Sequence, residues 1–324
     1  MIRPKDILYI DITQALIFSM INKVEVRNET STLKHVILGT AHANGKIPKP
    51  KDAYDPTSLQ HILANTYPHE EALSKEISSF ATLLEKYGVK VYRPEILENI
   101  NQIFARDIGF VIDQYFFKAN TLPERKKEWL AIQSLIHNIH EENIIDIPEN
   151  VHIEGGDVIL WNQYIFIGTY QGNDYSRLST ARTNPAAVSY LKDFFPQKEV
   201  LSFDLIKSTL RPEENVLHLD CCFQPVGNDK AILGKDGFIS SKESEQIIEI
   251  FGKENIFFLT KQEMTEMHSN VFSINPQLVV SDKRFRRLNH WLHTNGIQVE
   301  EIKYQEVGKQ GGLLRCSTLP LLRD

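Results

Sequence analysis

Apolar positions along the chain switch repeatedly between a two-residue and a helical period. "IGFVIDQYFFKA" is two β-rich runs joined at Asp113-Gln114, and "DVILWNQYIFIG" repeats the form around Asn162-Gln163. "FQPVGNDKAILG" turns at Gly227-Asn228-Asp229, and "NVFSINPQLVVSD" turns at Asn275-Pro276. Strand-forming residues on both sides of such turn chemistry read as β-hairpins. Each hairpin precedes a segment of helical period. The first, "LPERKKEWLAIQSLIHNIH" over 122–140, has Pro123 in its opening turn, where a missing N–H costs nothing. "NPAAVSYLKDFF", "SKESEQIIEIFG" and "DKRFRRLNHWLHTNG" follow, the last two closing on glycine. After each helix comes a short apolar strand: "NIIDIP", "EVLSFDL", "NIFFLT" and "IQVEEIKY". Near the start, "HVILGT", "PHEEALSKEISSFATLLEKYG" and "VKVYRPE" make a similar unit in which one hairpin strand is not evident.

Five strand–strand–helix–strand units of roughly fifty residues predict an α/β fold closed into a pseudo-symmetric fivefold ring rather than a stack. Closing the ring removes the sheet edges that an open array would expose. Periodicity leaves a linear two-domain α/β arrangement open. No Pro/Gly/Ser-rich linker marks a boundary, so residues 34–324 are expected to form one domain. Residues 1–33 stand as an N-terminal extension that could add a strand, cover the ring or mediate dimer contacts.

Composition narrows the function classes. Of 324 residues, 42% are apolar and 24% charged, enough for a sizeable core. A net charge of −6 does not suit a nucleic-acid partner. The most apolar window, "ILYIDITQALIFSMI", is interrupted by Asp11 and too short to cross a bilayer, so no membrane association is expected. It follows Arg3, Lys5 and Asp6 too closely, with no small-residue cleavage site, to read as a secretory signal. Three cysteines, two of them adjacent (Cys221 and Cys222), make no disulfide framework, and a reduced cytoplasmic protein is expected. Homo-oligomerisation is left open.

Four stretches place chemically versatile residues at comparable points of the repeat: "FARD" (Asp107), "HIEGGD" (His152, Glu154, Asp157), "HLD" (His218, Asp220) and "GGLLRC" (Cys316). The first three sit just before a hairpin, where a ring of repeats points strand ends toward a shared centre. Their chemistry suits a guanidinium or amidinium group, which is planar, cationic and presents N–H donors as a fork. Asp107 and Glu154 can accept charge-assisted bonds from that fork and fix its central carbon. Cys316 is the candidate nucleophile, because a thiolate is strongly nucleophilic and a nearby cation stabilises it. His218 can protonate the departing amine and then deprotonate the next nucleophile. Asp220, two residues on, falls on the same strand face and could orient substrate or histidine. Gly155 and Gly156, and likewise Gly311 and Gly312 beside Cys316, allow close approach of backbone to ligand. A metal site is the competing reading, since His152, Glu154, Asp157, His218 and Asp220 include good ligand types. The H-x-E and H-x-D spacings are weak signals for one.

In this order and spacing, "NQIFARD", "EGGDV", "HLDCCFQPVG", "NVFSINPQLVVSD" and "GGLLRCSTLPL" resemble the guanidino-group-modifying enzymes: arginine deiminases, dimethylarginine hydrolases and glycine amidinotransferases. The resemblance runs from about residue 34 to the C-terminus and implies the five-bladed α/β propeller of the penteins. It implies Cys316 as nucleophile, His218 as acid/base, Asp107 and Glu154 as guanidinium ligands and Asp220 as a further polar contact. It implies metal-free, cofactor-free chemistry on a small guanidino compound, with either water or an amine as acceptor. Glu154 is closer to the hydrolases, whereas the segment from Asp107 through Arg125 has the shape of the amidinotransferases, so both remain open. For the substrate tail, the resemblance points to Asn101, Arg125 and Arg182, with Arg177 competing in a longer loop over 169–183. A rival from another class is a non-catalytic binding protein on the same scaffold, as in the eukaryotic ribosome anti-association factor.

Overall fold

The computed structural model describes residues 21–324, so the first twenty residues of the extension lie outside it. Fifteen strands form five three-stranded sheets. The strands are β1 (Leu33–Leu38), β2 (Lys90–Tyr92), β3 (Gly109–Ile112), β4 (Tyr115–Lys118), β5 (Ile144–Asp146), β6 (Val158–Trp161), β7 (Tyr164–Thr169) and β8 (Glu199–Asp204). They continue with β9 (Phe223–Val226), β10 (Lys230–Leu233), β11 (Ile256–Phe258), β12 (Phe272–Asn275), β13 (Leu278–Asp282), β14 (Gln298–Ile302) and β15 (Thr318–Arg323). In β3-β4-β5 the first pair is antiparallel and the second parallel. The same rule holds for β6-β7-β8, β9-β10-β11 and β12-β13-β14.

The remaining sheet resolves the incomplete first unit. Its order is β15-β1-β2, with β1 antiparallel to β15 and parallel to β2. The strand not evident beside "HVILGT" is supplied by the C-terminal residues of the chain. Val36 pairs with Pro320 and Leu38 with Thr318, which joins the two ends and closes the cycle of units.

The hairpin turns form where the sequence supplies left-handed backbone. Asp113 and Asn162 have φ of 51° and 54°, a region their short polar side chains tolerate. The helices Pro185–Phe194, Ser241–Phe251 and Arg286–Thr294 form over the segments expected. Ser241–Phe251 starts on a capping box, with Ser240 and Glu243 satisfying each other's backbone donors.

The segment 122–140 departs from expectation. It is wound as a 3-10 helix over Pro123–Ile132, with only Gln133–Ile136 in α form. Its buried residues include Arg125, Glu128 and Ala131, a spacing of three that matches three residues per turn. Here the inward face carries an ion pair rather than an apolar stripe.

Residues 21–32 lie against this frame. Ile21, Val24 and Val26 are buried, Val26 bridges to Asp113, and Glu25 bridges to Leu322 of β15. Among the described residues no helix is long and apolar enough to cross a membrane.

The core is continuous between blades. Phe166 of β7 is fully buried and meets the rings of Phe203, Phe223 and Phe251, so it fastens one unit to the next. Phe166→Ala should cost about 3–5 kcal/mol, the usual penalty for emptying an aromatic core position. Leu210→Ala, at a position 72% exposed, should stay within about 0.5 kcal/mol. Urea unfolding of both variants checks the contrast; equal midpoints would mean that the two blades are not packed through Phe166.

Candidate active site

The five units deliver their polar residues from one structural position, the turn that leads into the outer antiparallel strand. Asp107 precedes β3, Glu154 precedes β6, His218 and Asp220 precede β9, Asn270 precedes β12 and Cys316 precedes β15. Two of these turns are short 3-10 turns, Gly155–Asp157 and Leu219–Cys221. Asp157 ties them together, since its Oδ1 accepts from the Leu219 backbone N–H at 2.9 Å. Asp220 therefore does not share a strand face with His218. The 3-10 turn aims His218 toward Glu154 and Asp107 and sends Asp220 toward Arg315 and Cys316.

Close packing explains the glycines. A Cβ on Gly156 would lie 2.7 Å from the His218 ring, so only glycine lets the imidazole lie flat on the backbone. Gly311 has φ of 82°, and a Cβ there would meet Asp55 Oδ1 at 2.6 Å. Gly155 abuts the Arg106 carbonyl and Gly312 the Phe104 ring.

Asp107, Glu154, His218, Arg125 and Arg182 form one buried cluster. His218 Nε2 lies 2.9 Å from Glu154 Oε2, and Nδ1 lies 3.6 Å from Asp107 Oδ1. Burial alone disfavours an imidazolium, but Asp107 and the hydrogen bond to Glu154 outweigh it and raise the His218 pKa. Arg125 grips Glu128 with Nε and Nη2, both at 2.8 Å, and gives Nη1 to Asp107 Oδ2 at 2.7 Å. Arg182 donates Nη1 to Glu154 Oε2 at 2.9 Å and Nη2 to the Tyr54 carbonyl at 3.2 Å. Burial pushes the Glu154 carboxyl up, yet Arg182, the His218 hydrogen bond and Arg125 hold it well below the ordinary range.

Each carboxylate spends one oxygen on the protein and keeps another. Asp107 Oδ1 and Glu154 Oε1 are buried and accept no hydrogen bond. Asp107, His218 and Cys316 line a cavity of about 10 Å³ together with Tyr54 and Asp55. Larger cavities of about 980 and 740 Å³ flank the Asp52–Tyr54 strap.

Cys316 is 3% exposed. Its Sγ lies 3.7 and 3.9 Å from the Asp220 oxygens. Asp220 is held in turn by Arg315 Nη1 at 2.8 Å, and Arg315 pairs with Glu29 through Nη2 at 2.9 Å and Nε at 3.2 Å. A hydrogen bond with the Cys221 thiol, burial and Asp220 together push the Cys316 thiol well up. Cys222 packs in the core.

Of the residues assigned to a substrate tail, Arg125 and Arg182 line the small cavity beside Cys316, whereas Asn101 does not. The forks of Arg125 and Arg182 are committed to carboxylates and carbonyls of the protein. Asn101 reaches the site through Gln310, donating Nδ2 to Gln310 Oε1 at 2.8 Å, and Gln310 lines the small cavity. Arg177 and His152 line the 740 Å³ cavity. Sequence reading passed over Glu29, Glu128, Asn270 and Gln310. Of these, Asn270 alone had a visible signal: it opens "NVFSIN" in register with Asp107 and Cys316.

Oxygen or nitrogen atoms of Asp107, Glu154 and His218 come within 4.8 Å of one another, a composition that could hold a metal ion. Arg125 and Arg182 already supply positive charge to the same two carboxylates, which disfavours a further bare cation there.

Comparison with known proteins bears on the family and the fold. A Bacillus subtilis protein, YkgA, is 26% identical over 306 residues, covering 93% of this chain and 96% of its own length. An arginine deiminase of Bacillus cereus is 25% identical over 311 residues, covering 82% of this chain and 71% of that enzyme. Among solved structures, SxtG, an amidinotransferase of the saxitoxin pathway from Microseira wollei, superposes with a TM-score of 0.74 at 16% identity. The match covers 93% of this chain and 97% of SxtG, a likeness of fold. The family model described as N,N dimethylarginine dimethylhydrolase, eukaryotic, matches residues 52–323, and the chain belongs to that family, within the guanidino-group-modifying enzymes.

Proposed function

We propose that the protein hydrolyses a C–N bond of a small guanidino compound of the arginine type, methylated or not, through an amidino–Cys316 intermediate. The observation that carries this reading is the pair of buried oxygens that accept no hydrogen bond, Asp107 Oδ1 in the cavity lined by Cys316 and His218, and Glu154 Oε1 on the carboxylate bonded to His218. A buried acceptor without a donor is costly, and the N–H fork of a guanidinium would satisfy both. Arg125 and Arg182 then serve as internal counter-cations that keep the carboxylates ionised, rather than as ligands of the substrate tail.

The chemistry follows from the charges. A bound guanidinium beside Cys316 favours loss of the thiol proton to water, offsetting Asp220 and burial. The thiolate attacks the central carbon, forming a C–S bond and a neutral tetrahedral adduct. His218, protonated by virtue of its carboxylate neighbours, gives its proton to the departing nitrogen as that C–N bond breaks. The neutral imidazole then takes a proton from water as the water oxygen attacks the amidino carbon, and collapse returns the thiolate. Tyr54 and Asp55 must part to admit substrate.

Mass spectrometry of acid-quenched mixtures tests the reading. Arginine, methylated arginines, agmatine, guanidinoacetate and guanidinobutyrate would each be offered with and without glycine, ornithine or lysine. A ureido product, or urea, formed without added amine is expected, together with a transient adduct on Cys316. A guanidino product that requires an amine would establish amidino transfer instead. Cys316→Ala should lower turnover by at least about 10³-fold without lowering the melting temperature; retained turnover would remove the covalent mechanism.

The histidine gives a pH test with a fixed sign. Because folding raises its pKa above the unfolded value of about 6.5, its stabilising contribution is complete below that pH. It is lost as pH rises through the folded value. The difference in urea midpoint between wild type and His218→Asn should therefore be larger at about pH 6 than at about pH 9. A difference that is constant or grows with pH would contradict the His218–Glu154–Asp107 arrangement.

A further inference from the structure

Four of the five units bring acids, histidine or cysteine to the centre, and the unit β12-β13-β14 brings an amide. Asn270 is fully buried and makes two contacts with the same residue. Its Oδ1 accepts from the Cys316 backbone N–H at 3.2 Å, and its Nδ2 lies 3.1 Å from Cys316 Sγ. The orientation of this amide is not a free choice. A backbone N–H can only donate, so the oxygen must face it and the nitrogen must face the sulfur. An amide nitrogen only donates, so the sulfur is its acceptor. A thiol is a weak acceptor and a thiolate a strong one, so this contact discriminates between the two states of the nucleophile.

The other ionisable groups around Sγ do not do this. Asp220 approaches at 3.7 Å, Cys221 shares a hydrogen bond, and Asp107 and Tyr304 act at longer range. These four oppose a negative sulfur. His218, Arg125 and Arg182 line the same cavity, but their polar atoms are engaged with Asp107, Glu154 and Glu128.

We propose that Asn270 is a catalytic residue: its side-chain N–H stabilises the Cys316 thiolate once the proton has left to water and holds Sγ in line for attack on the guanidinium carbon. The backbone around it is built for this placement. Met267 has φ of 58°, the Asn270 N–H closes a turn onto the Met267 carbonyl at 2.9 Å, and Ser269 Oγ donates to the Asp220 carbonyl at 2.8 Å. Asn270, Asp220 and Cys316 are thus located as a unit. The proposal rests on the reading of Cys316 as nucleophile, but its test is independent of any substrate.

Asn270→Asp keeps the size and the acceptor for the Cys316 N–H, and replaces the donor facing sulfur by a carboxylate oxygen. The measurement is the pH dependence of iodoacetamide alkylation at Cys316, read by peptide mass spectrometry, in wild type, Asn270→Asp and Asn270→Ser. Alkylation of both variants at about pH 8 is expected to slow by about tenfold or more, with the inflection moved to higher pH, the aspartate variant further than the serine variant. Where a guanidino substrate has been identified, kcat should fall while KM changes by less than about threefold. An alkylation profile equal to wild type in whichever variant remains folded by circular dichroism would overturn the proposal and leave Asn270 a structural clamp. Absence of turnover in wild type with every guanidino compound would count against the hydrolase reading alone.

Discussion

The pairing of β15 with β1 is the contact on which the site depends. Cys316 lies two residues before Thr318, where β15 begins, and Thr318 is paired with Leu38 near the other end of the chain. A strand held on its neighbour by backbone hydrogen bonds has little freedom to slide, because a one-residue slip would reverse every side chain. Ring closure therefore fixes the position of Cys316 to the precision of a sheet register. The same pairing supplies the missing strand of the first blade, so completing that blade and positioning the sulfur are one structural event.

A second constraint is charge. The cluster around Asp107, Glu128 and Glu154 is buried, and ions in that setting are tolerable only when paired and hydrogen-bonded. Arg125 and Arg182 provide that pairing, and they do so unequally: one oxygen of Asp107 and one of Glu154 are saturated while their partners are left without donors. A site with too little protein cation would protonate its carboxylates; one with too much would leave nothing for a guanidinium to bind. Arg315 plays the corresponding part for Asp220, and it depends on Glu29, whose carboxyl Arg315 and Arg106 hold down to about 2 against the upward push of burial. Breaking a buried pair of this kind typically costs about 3–5 kcal/mol, so residues 21–32 are bound to the site by more than their apolar contacts.

What the sequence disclosed follows from which interactions are local. Hairpins around Asp113 and Asn162 were legible because turn chemistry and β-branched flanks act over a few residues. The fivefold repeat, and with it Asp107, Glu154, His218 and Cys316, was legible because register within a repeat is itself a pattern. The partner strand of β1 was not, since Leu38 and Thr318 meet only through closure of the whole ring. The 3-10 winding of Pro123–Ile132 was hidden for a related reason: its inward face carries Arg125 and Glu128, and the burial of Arg125 is justified by Asp107 from the start of the same unit and Glu154 from the next. Arg125 and Arg182 were legible as cations of the site, but their pairing with Asp107 and Glu154 was not, because it forms through tertiary contacts.

The geometry around Cys316 has a consequence for timing. Asp220, Cys221 and burial push the Cys316 thiol well up, and Tyr54 and Asp55 line the cavity beside it. A buried thiol in this state is a poor target for stray electrophiles, since the thiolate is the reactive form. On the proposed mechanism, the cation that would make it nucleophilic is the substrate, held by the two carboxylate oxygens that accept no hydrogen bond in this structure. Binding and activation are then the same electrostatic change: the guanidinium satisfies Asp107 and Glu154, its charge offsets Asp220, and the amide of Asn270 is already in place to receive the thiolate that results.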